Sequence, residues 1–382
     1  MSTLSKAFVG AQIHDGQSLH INHALLVDET GHLSICAVEN LPPECSTETL
    51  DGGVICPGFI DLQVNGGGSV MFNDDQSVEA LHTIARAHRT SGTCALLPTL
   101  ITDTYEKTRA AIDAVEQAIA QRISGIIGIH LEGPHLAVAR KGAHDPKLIR
   151  QMSDDDLALM VHAAERIANV MVTVAPENVS LAQIKSMSDA GIVVSLGHTD
   201  ASAETCHAAF DAGARCVTHL FNAMSQLGNR EPGLVGAMLE RADIYAGLIA
   251  DGIHVHPAAI RIALAAKPQA DRVFLVTDAM ATAGSQIDSF SINGRKVFRK
   301  DHRLTLQDGT LAGADLDFPR ALSFMRDEIG DSTAKAISRI TSTPAALLRD
   351  TAQTGLLGAA LPTVLYFKDA FQKPVFLPIK AS

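Results

Sequence analysis

Short apolar runs that end in polar residues alternate with helical stretches along most of the chain. The runs have the length and β-branched content of buried strands, and several of the helical stretches open on Ser or Asp, which favours a helix start. The predicted strands are residues 54–62, 93–98, 126–131, 170–175, 192–196, 216–220, 245–250 and 273–276. The predicted helices are residues 77–91, 103–122, 153–168, 201–212 and 257–266.

The predicted strands are apolar almost throughout, which is typical of a parallel sheet that helices cover on both faces. Eight such strands alternating with helices favour an α/β fold, a closed (β/α)8 TIM-like barrel, over an open doubly wound sheet. The open sheet remains the alternative. No G-x-G-x-x-G follows the first strand, so the pattern does not support dinucleotide binding.

The two chain ends follow a different pattern. From residue 6 to about residue 56, short alternating runs are broken by Asp-Gly, Thr-Gly and Pro-Pro turn signals, which predicts a small β region. Residues 363–377 return to a β pattern, and we expect them to rejoin the N-terminal strands. Before this tail, residues 290–306 predict a hairpin around Asn293-Gly294, and helical stretches begin at Asp317 and Thr333.

Composition and charge narrow the class of protein. The 382 residues are 46% hydrophobic and 19% charged, which supports a large core and excludes a disordered or fibrous chain. A net charge of -11 makes nucleic acid a poor partner. The first residues lack a basic flank followed by an apolar core, and no apolar run approaches the roughly 18 residues of a membrane span. We therefore expect a soluble, cytoplasmic protein with no membrane partner.

Cysteine and histidine usage adds two expectations. The 6 cysteines are widely spaced and include no C-x-x-C, which argues against a zinc ribbon or a disulfide framework and favours a reducing cytosol. The chain has 16 histidines and no tryptophan. Because histidine is the common imidazole metal ligand and acid–base group, this count directs attention to a metal or acid–base site.

Polar residues follow several of the predicted barrel strands, at the end where active sites of such barrels lie. Glu132 follows the third predicted strand, His198 follows the fifth, and His219 lies at the end of the sixth. One carboxylate and two imidazoles supply the three protein ligands of a catalytic zinc site and leave a position for water. The alternative is that each histidine is a hydrogen-bonded residue of the barrel.

Three further residues need separate interpretation: Asp278 and His130 each have two, and His135 has one. Asp278 ends the eighth strand, where it is placed to act as a general base toward a metal-bound water, or to cap the following turn. His130 precedes Glu132 by two residues and faces the same side of the strand, so it either supports the ligands or is a packed imidazole. His135 is expected to be a loop residue.

These residues belong to eight motifs whose order and spacing resemble the N-acetylglucosamine-6-phosphate deacetylase family of the amidohydrolase superfamily. The likeness runs from about residue 50 to residue 350. The motifs are Pro57-Gly58-Phe59-Ile60-Asp61, His130-Leu131-Glu132-Gly133-Pro134, Lys141-Gly142-Ala143-His144, Gly197-His198-Thr199, Thr218-His219-Leu220-Phe221-Asn222-Ala223-Met224, Arg230-Glu231-Pro232-Gly233, Ala250-Asp251-Gly252-Ile253-His254 and Thr277-Asp278-Ala279.

The resemblance implies a (β/α)8-like barrel with a small β-sandwich domain built from both chain ends. We place the sandwich at residues 1–56 plus 351–382 and the barrel at residues 57–350. It also implies that Glu132, His198 and His219 are metal ligands and that Asp278 is the catalytic acid/base. His144 matches the residue that contacts the acetyl carbonyl as it becomes an oxyanion. The residues that match substrate contacts are Ala143, His144, Asn222, Ala223, Arg230, Asp251, Gly252, Ile253, His254, Leu311, Ala312 and Gly313.

Arg230 has a physical reason to belong to such a site. A guanidinium forks onto phosphate oxygens, which a neutral sugar would not require. The alternative is a solvated surface arginine.

Two segments depart from the pattern. Many amidohydrolases carry His-x-His at the end of the first strand for a second metal, whereas this chain has Gln63-Val64-Asn65, and amides are poor zinc ligands. We therefore expect one divalent metal per subunit, zinc with ferrous iron as the alternative. Residues 355–362 lack the usual Gly-Lys-x-Ala-Asp-like segment, which leaves the sandwich geometry open there.

The sequence therefore predicts a metal-dependent hydrolase of a linear amide bond. It converts N-acetyl-D-glucosamine 6-phosphate to D-glucosamine 6-phosphate and acetate in amino-sugar catabolism. Its partners are the small phosphosugar and further copies of itself in a dimer or tetramer. The alternatives are an N-acetylgalactosamine-6-phosphate deacetylase, a cyclic amide hydrolase and a non-catalytic scaffold of the same fold, against which the retained ligand residues and Asp278 argue.

Overall fold

The structure, a computed structural model, describes residues 4–351, 355–357, 363–369 and 371–379. Most of the divergent segment at residues 355–362 therefore lies outside the described residues. The six cysteines are free thiols. Within the described ranges, no helix is both long enough and apolar enough to cross a membrane.

The N-terminal segment folds into short strands that belong to two sheets. They are β1 (Leu4–Val9), β2 (Gln12–His14), β3 (Leu19–His20), β4 (His23–Asp28), β5 (Leu33–Ala37), β6 (Thr47–Thr49) and β7 (Val54–Pro57), with a 3-10 turn at Val38–Asn40. The first sheet has the order β5-β4-β1-β6. The other strands, β2, β3 and β7, join the second sheet, which also contains C-terminal strands.

The central part of the chain forms a parallel barrel. Its strands and a short ribbon are β8 (Phe59–Val64), β9 (Gly66–Gly67), β10 (Val70–Met71), β11 (Thr93–Ile101), β12 (Ile129–Glu132), β13 (Val170–Val174), β14 (Val193–Leu196), β15 (Cys216–Val217), β16 (Tyr245–Leu248) and β17 (Val273–Leu275). β9 and β10 pair with each other, and the other eight strands are neighbours in chain order. The predicted eight strands are therefore confirmed, and the open doubly wound alternative is wrong.

Backbone contacts between the end of the first barrel strand and the residues that follow the eighth close the barrel. Val64 and Ala279 form a parallel bridge. The Asn65 N–H donates to the Ala279 carbonyl over 2.9 Å, and the Asp278 N–H donates to the Gln63 carbonyl over 3.1 Å. This closure places Gln63 and Asn65 beside Asp278.

Seven helices surround the barrel. They are α1 (Val78–Arg89), α2 (Tyr105–Ala120), α3 (Asp154–Arg166), α4 (Leu181–Asp189), α5 (Ala203–Asp211), α6 (Gly233–Glu240) and α7 (Pro257–Ala266), with 3-10 turns at Val138–Arg140 and Ala270–Arg272. The first five each follow a Ser or Thr whose side chain accepts a backbone hydrogen bond, which explains the predicted starts of α1, α2, α3 and α5. The sequence did not predict α4 or α6. In α6 most side chains are buried, so its sequence lacks the polar face that reveals a helix.

A four-stranded antiparallel sheet follows the barrel. Its strands are β18 (Ser289–Ile292), β19 (Arg295–Lys300), β20 (Arg303–Leu306) and β21 (Leu311–Ala314). β18 and β19 are the hairpin predicted around Asn293-Gly294. Ile292 and Leu304 share a buried cluster with Ile101 and Met280, which belong to the barrel end. The sheet is thereby held against the end of the barrel where the strands terminate.

The chain then returns through helices to the second N-terminal sheet. These elements are α8 (Phe318–Phe324), a π-helical turn (Met325–Ile329), α9 (Thr333–Ser338), α10 (Ser342–Ala345), β22 (Val364–Phe367) and β23 (Val375–Phe376). β22 pairs antiparallel with β7 in a sheet of order β23-β22-β7-β2-β3. Both chain ends therefore contribute to one sheet, as predicted. The domain boundaries at residues 56–57 and 350–351 stay predictions.

The first predicted strand, residues 54–62, is in fact two strands in different sheets. β7 pairs with β22 in the sheet that both chain ends build, whereas β8 is the first strand of the barrel. Gly58 separates them, and a Cβ at this position would lie only 2.6 Å from Cys94 Cβ, so the chain passes this point without room for a side chain. An apolar run does not reveal such a change of sheet.

Phe59 joins three parts of the structure, and its removal should destabilise the fold. The ring is fully buried, stacks on Phe367 of β22 at 5.8 Å and packs edge-on against Phe318 of α8 at 5.8 Å. Phe59→Ala should lower the free energy of unfolding by about 3–5 kcal/mol, measured by urea unfolding followed by circular dichroism. Phe298→Ala, at an exposed ring, is the control. Equal midpoints for the two variants would contradict this role.

Candidate active site

Three side chains from the ends of neighbouring barrel strands meet in a buried triangle. Glu132 is the last residue of β12, and His198 and His219 each lie two residues beyond β14 and β15. Glu132 Oε1 is 3.0 Å from His198 Nε2 and 3.1 Å from His219 Nε2, and the two Nε2 atoms are 3.1 Å apart. The structure therefore brings together the three residues predicted as metal ligands.

The chemistry of the triangle fits a divalent cation. His198 Nδ1 lies 2.8 Å from the Arg140 carbonyl oxygen, so Nδ1 donates to it, and Nε2, on the side of Glu132, is the nitrogen that could bind a metal ion. Buried His219 Nδ1 has no hydrogen-bond partner in the described part of the chain. Burial opposes ionisation of Glu132, but the two imidazoles hold its pKa below the usual range. One carboxylate and two imidazoles whose ligand atoms lie this close together are a zinc-type ligand set.

Two amides occupy the position where a second metal would need imidazoles. Gln63 Nε2 donates to Glu132 Oε2 and to Asp278 Oδ1, each over 3.2 Å. Asn65 Nδ2 donates to Asp278 Oδ1 over 2.7 Å. N–H groups therefore face both carboxylates from the first barrel strand, and this arrangement offers no ligand set for a second zinc ion.

Asp278 lies beside the triangle, and the residue before it, Thr277, is hydrogen-bonded to the first barrel strand. The Thr277 hydroxyl donates to Asp61 Oδ2 over 2.5 Å, and both residues are buried. Burial, followed by the charge of Glu132, raises the pKa of Asp278 to about 6. Within the described residues the Asp278 carboxylate accepts from Gln63 and Asn65 and from no backbone N–H of the following turn, which argues against the turn-cap interpretation.

The backbone is left-handed at several of these positions. The φ angles are 49° at His198, 29° at His219, 50° at Ala223 and 48° at Asp278. Such angles are uncommon for residues with a side chain and cluster at functional sites, where the surrounding structure holds them. Both histidines of the triangle and the neighbouring acid therefore lie at strained turns.

His144 reaches the triangle from the loop that follows β12. Its ring packs edge-on against His198 at 4.4 Å, and its Nδ1 lies 2.7 Å from Thr102 Oγ1. Burial lowers the pKa of His144 to about 3, so the ring is neutral. Arg295 of β19 hydrogen-bonds the carbonyl of Ala143 and holds this loop against the added sheet.

A cavity of about 380 Å³ opens onto these groups. It contains Glu132, His198, His219, Asp278 and seven of the predicted substrate contacts, namely Ala143, His144, Asn222, Ala223, His254, Leu311 and Gly313. β21 supplies the last two. The structure thus collects most of the predicted site from distant parts of the chain.

The remaining predicted contacts are not among the residues that line the cavity. Asp251 instead accepts a 2.6 Å hydrogen bond from His254 Nδ1, which fixes the ring of that cavity residue. Gly252 and Ile253 belong to the same turn, and Ala312 is fully buried in the added sheet. Arg230 lies exposed in the loop before α6.

Some cavity residues have little or no signal in the sequence. They include Arg140, Thr310, Ile101, Ile249 and Met280. Arg140 donates from Nε to Asp200 over 2.8 Å and accepts at its carbonyl the hydrogen bond from His198. The position of Arg140 next to the Lys141-Gly142-Ala143-His144 motif is its one signal in the sequence. An arginine at such a position has the same pattern as a surface residue, so the sequence did not identify it.

A chain of buried hydrogen bonds lies beneath the triangle, and it decides the role of His130. His130 Nε2 is 2.7 Å from Thr173 Oγ1, which is 2.7 Å from Thr218 Oγ1. Its Nδ1 donates to the Leu62 carbonyl over 3.0 Å. His130 is therefore a packed, fully bonded imidazole of the barrel interior. His135 lies in a loop, as expected, but it is buried and bonds the Arg150 carbonyl.

Comparisons with known proteins place this fold and site in a family. The model of the amidohydrolase family matches residues 54–359. The chain belongs to the amidohydrolase family.

Three relatives illustrate the similarity. An N-acetylgalactosamine-6-phosphate deacetylase of Shewanella sp. (strain ANA-3) is 43% identical over 300 residues, 78% of this chain and 75% of that protein. An N-acetylglucosamine-6-phosphate deacetylase of Haemophilus influenzae is 34% identical over 317 residues, 81% of this chain and 82% of that protein. The crystal structure of N-acetylglucosamine-6-phosphate deacetylase from Pasteurella multocida matches with a TM-score of 0.91, 33% identity and 99% coverage of both chains.

Metal content should follow the triangle. We expect the purified protein to hold about one tightly bound divalent ion per chain, by the ligand count of a catalytic site, measured by elemental analysis after gel filtration. Glu132→Ala and His198→Ala should lose the ion, whereas Gln63→Ala should retain it. A stoichiometry near two, or loss of metal from Gln63→Ala, would contradict the one-metal arrangement.

Proposed function

We propose that the protein is a metal-dependent deacetylase that hydrolyses N-acetyl-D-glucosamine 6-phosphate to D-glucosamine 6-phosphate and acetate, in amino-sugar catabolism. The observation that carries this proposal is the convergence of a buried Glu-His-His triangle, Asp278 and His144 on one cavity. An acid–base group and a neutral imidazole beside a metal site are the groups that amide hydrolysis requires.

Glu132, His198 and His219 would hold one divalent cation, which we propose to be zinc, with ferrous iron as the alternative. When bound, the cation supplies Lewis-acid activation of the attacking water and of the acetyl carbonyl. The chain's own residues then determine how protons move and how charge is stabilised.

Asp278 acts as the general base and then as the general acid. Its hydrogen bonds from Gln63 and Asn65 both go to Oδ1, which leaves Oδ2 to accept a proton from the attacking water. The protonated carboxyl then donates to the sugar nitrogen as the amide C–N bond breaks. This second transfer is needed because an amine leaves poorly until it is protonated.

His144 stabilises the negative charge that develops on the acetyl oxygen. A buried, neutral imidazole donates a hydrogen bond without bringing its own charge, and in a site that excludes water such a bond is stronger than in solution. The edge-on packing against His198 places the His144 ring next to the metal ligands.

The phosphate requires cationic or hydrogen-bond-donating groups in the cavity. Arg140 and His254 line the cavity, and Asn222 and Ala223 lie in the turn after the sixth strand. Nε of Arg140 is engaged by Asp200, which leaves its terminal amino groups to reach a phosphate. We also propose Arg230 as a phosphate contact. Four further residues are proposed to support the site, namely Asp251, Gly252, Ile253 and Ala312.

The alternative substrate is N-acetyl-D-galactosamine 6-phosphate. The observation that favours it is the 43% identity with the Shewanella relative that carries this name. The two sugars differ only in the configuration of one hydroxyl group, so the same metal site and base serve both. We further propose that the protein is a cytoplasmic homo-oligomer, a dimer or a tetramer.

The function is tested by acetate release from a panel of four compounds. These are N-acetylglucosamine, N-acetylgalactosamine and the 6-phosphate of each. We expect the highest kcat/KM with N-acetylglucosamine 6-phosphate and weak activity without phosphate. A preference for the galactose epimer would move the assignment to the alternative, and no acetate from any of the four would overturn the deacetylase proposal.

Removal of the base should abolish turnover without loss of metal. Asp278→Asn retains the shape of the side chain, but an amide cannot accept the proton of water, so kcat should fall by about three or more orders of magnitude. The measurements are acetate release, metal content and substrate binding by calorimetry. Activity within tenfold of the parent protein would show that Asp278 is not the base.

Loss of a phosphate contact should separate phosphorylated from unphosphorylated sugars. Arg230→Ala and Arg140→Ala each remove a charge-assisted hydrogen bond of about 1.5–3 kcal/mol, so kcat/KM on the 6-phosphate should fall about 10- to 100-fold. The weak activity on the unphosphorylated sugar should stay unchanged. A variant that loses both activities to the same degree identifies a structural arginine.

A further inference from the structure

Thr102 is the residue that holds His144, and neither the sequence motifs nor the cavity reveal it. Thr102 follows the last residue of β11, and its Oγ1 lies 2.7 Å from His144 Nδ1. The exposed fractions are 1% for Thr102 and 4% for His144, so water does not compete for this hydrogen bond. The two residues are 42 positions apart in the chain and meet only in the folded barrel.

The direction of this hydrogen bond follows from geometry. A buried Thr102 hydroxyl that only accepted from His144 would leave its own proton without a good acceptor, and an unsatisfied buried donor is costly. The other acceptor near Thr102 Oγ1 is the Glu132 carbonyl oxygen at 3.5 Å, which is at the limit of a hydrogen bond. The single hydroxyl proton is therefore best placed on the line to His144 Nδ1.

A neutral imidazole carries one ring proton. If Nδ1 accepts from Thr102, this proton is on Nε2, the other ring nitrogen. His144 lines the cavity, so Nε2–H is available as a donor to a bound substrate. In the opposite tautomer Nε2 would present a lone pair, which repels a developing oxyanion.

We propose that Thr102 is a positioning residue that fixes His144 in the Nε2–H tautomer, so that the ring donates a hydrogen bond to the acetyl oxygen as it gains negative charge. The inference rests on the proposed function of His144. It adds a residue that never touches the substrate and acts only through the imidazole.

The test compares variants that separate the hydroxyl from the volume of the side chain. Thr102→Val keeps the shape but not the donor, and Thr102→Ser keeps the donor. Thr282→Val is the matched control, since Thr282 is 1% exposed and its hydroxyl has no hydrogen-bond partner among the described residues. Metal content and Tm are measured for each, and Thr102→Ala replaces the valine variant if that protein does not fold.

We expect Thr102→Val to lower kcat on N-acetylglucosamine 6-phosphate about 10- to 100-fold with KM within about threefold, because a transition-state contact is weakened. Thr102→Ser should recover activity to within about threefold of the parent, and Thr282→Val should match the parent. In a His144→Ala background, Thr102→Val should change kcat by less than about twofold, because residues that act through one another are not additive. An equal loss in both backgrounds, or no rescue by serine, would overturn the proposal.

Nitrogen NMR of histidine-labelled protein gives a readout independent of activity. The signals of His144, assigned by their absence in His144→Ala, should show a protonated Nε2 in the parent and in Thr102→Ser. Thr102→Val should shift the tautomer toward Nδ1–H. A parent protein with Nδ1–H would refute the role of Thr102 even if the enzyme is a deacetylase. Absence of deacetylase activity together with the expected tautomer would instead refute the proposed function alone.

Discussion

The buried carboxylate of Glu132 is the constraint on which the rest of the site depends. Removing an ionised carboxylate from water costs several kcal/mol unless charges and hydrogen bonds compensate. Glu132 is 2% exposed, and its neighbours are two imidazoles and one amide. The register of β12, β13, β14 and β15 aligns Glu132 with Thr173, Ser195 and Cys216. His198 and His219 come a few residues after Ser195 and Cys216, so both imidazoles lie near the level of Glu132 at the same end of the barrel. The barrel therefore sets the distances between Glu132, His198 and His219.

Asp278 is a second buried carboxylate close to Glu132, so the cost of burying its charge must also be offset. The closure of the barrel supplies the hydrogen bonds that do so. Asp278 and Glu132 both receive N–H donors from Gln63, and Asp278 receives another from Asn65. These amides reach the carboxylates because β8 and the residues after β17 are joined by backbone hydrogen bonds. Amide donors stabilise the anions without adding a positive charge. Amide hydrogen bonds thus stand at the position where His-x-His would place two imidazoles.

The sequence predicted the elements and groups that depend on local pattern, and missed those that depend on tertiary contacts. Buried strands and capped helices have local signatures, so the barrel and the positions of Glu132, His198 and His219 at strand ends could be predicted. The division at Gly58 between two sheets, the buried helix α6 and the pairing of Thr102 with His144 have none. Each depends on which distant residue lies opposite, and a single sequence does not state this.

The left-handed backbone at His198, His219 and Asp278 explains why these side chains need the whole barrel. Each residue with a Cβ in this region costs on the order of 1–3 kcal/mol, which an isolated strand and turn would not sustain. Here the turns are held by backbone hydrogen bonds to neighbouring segments, such as Ala137 N–H to the His198 carbonyl at 2.8 Å and Ala314 N–H to the Asp278 carbonyl at 2.9 Å. Glycine would relieve the strain at each position but remove the functional group. The strain is therefore a consequence of turning these three side chains into the cavity directly after the strands, and the added sheet, through Ala314, takes part in sustaining it.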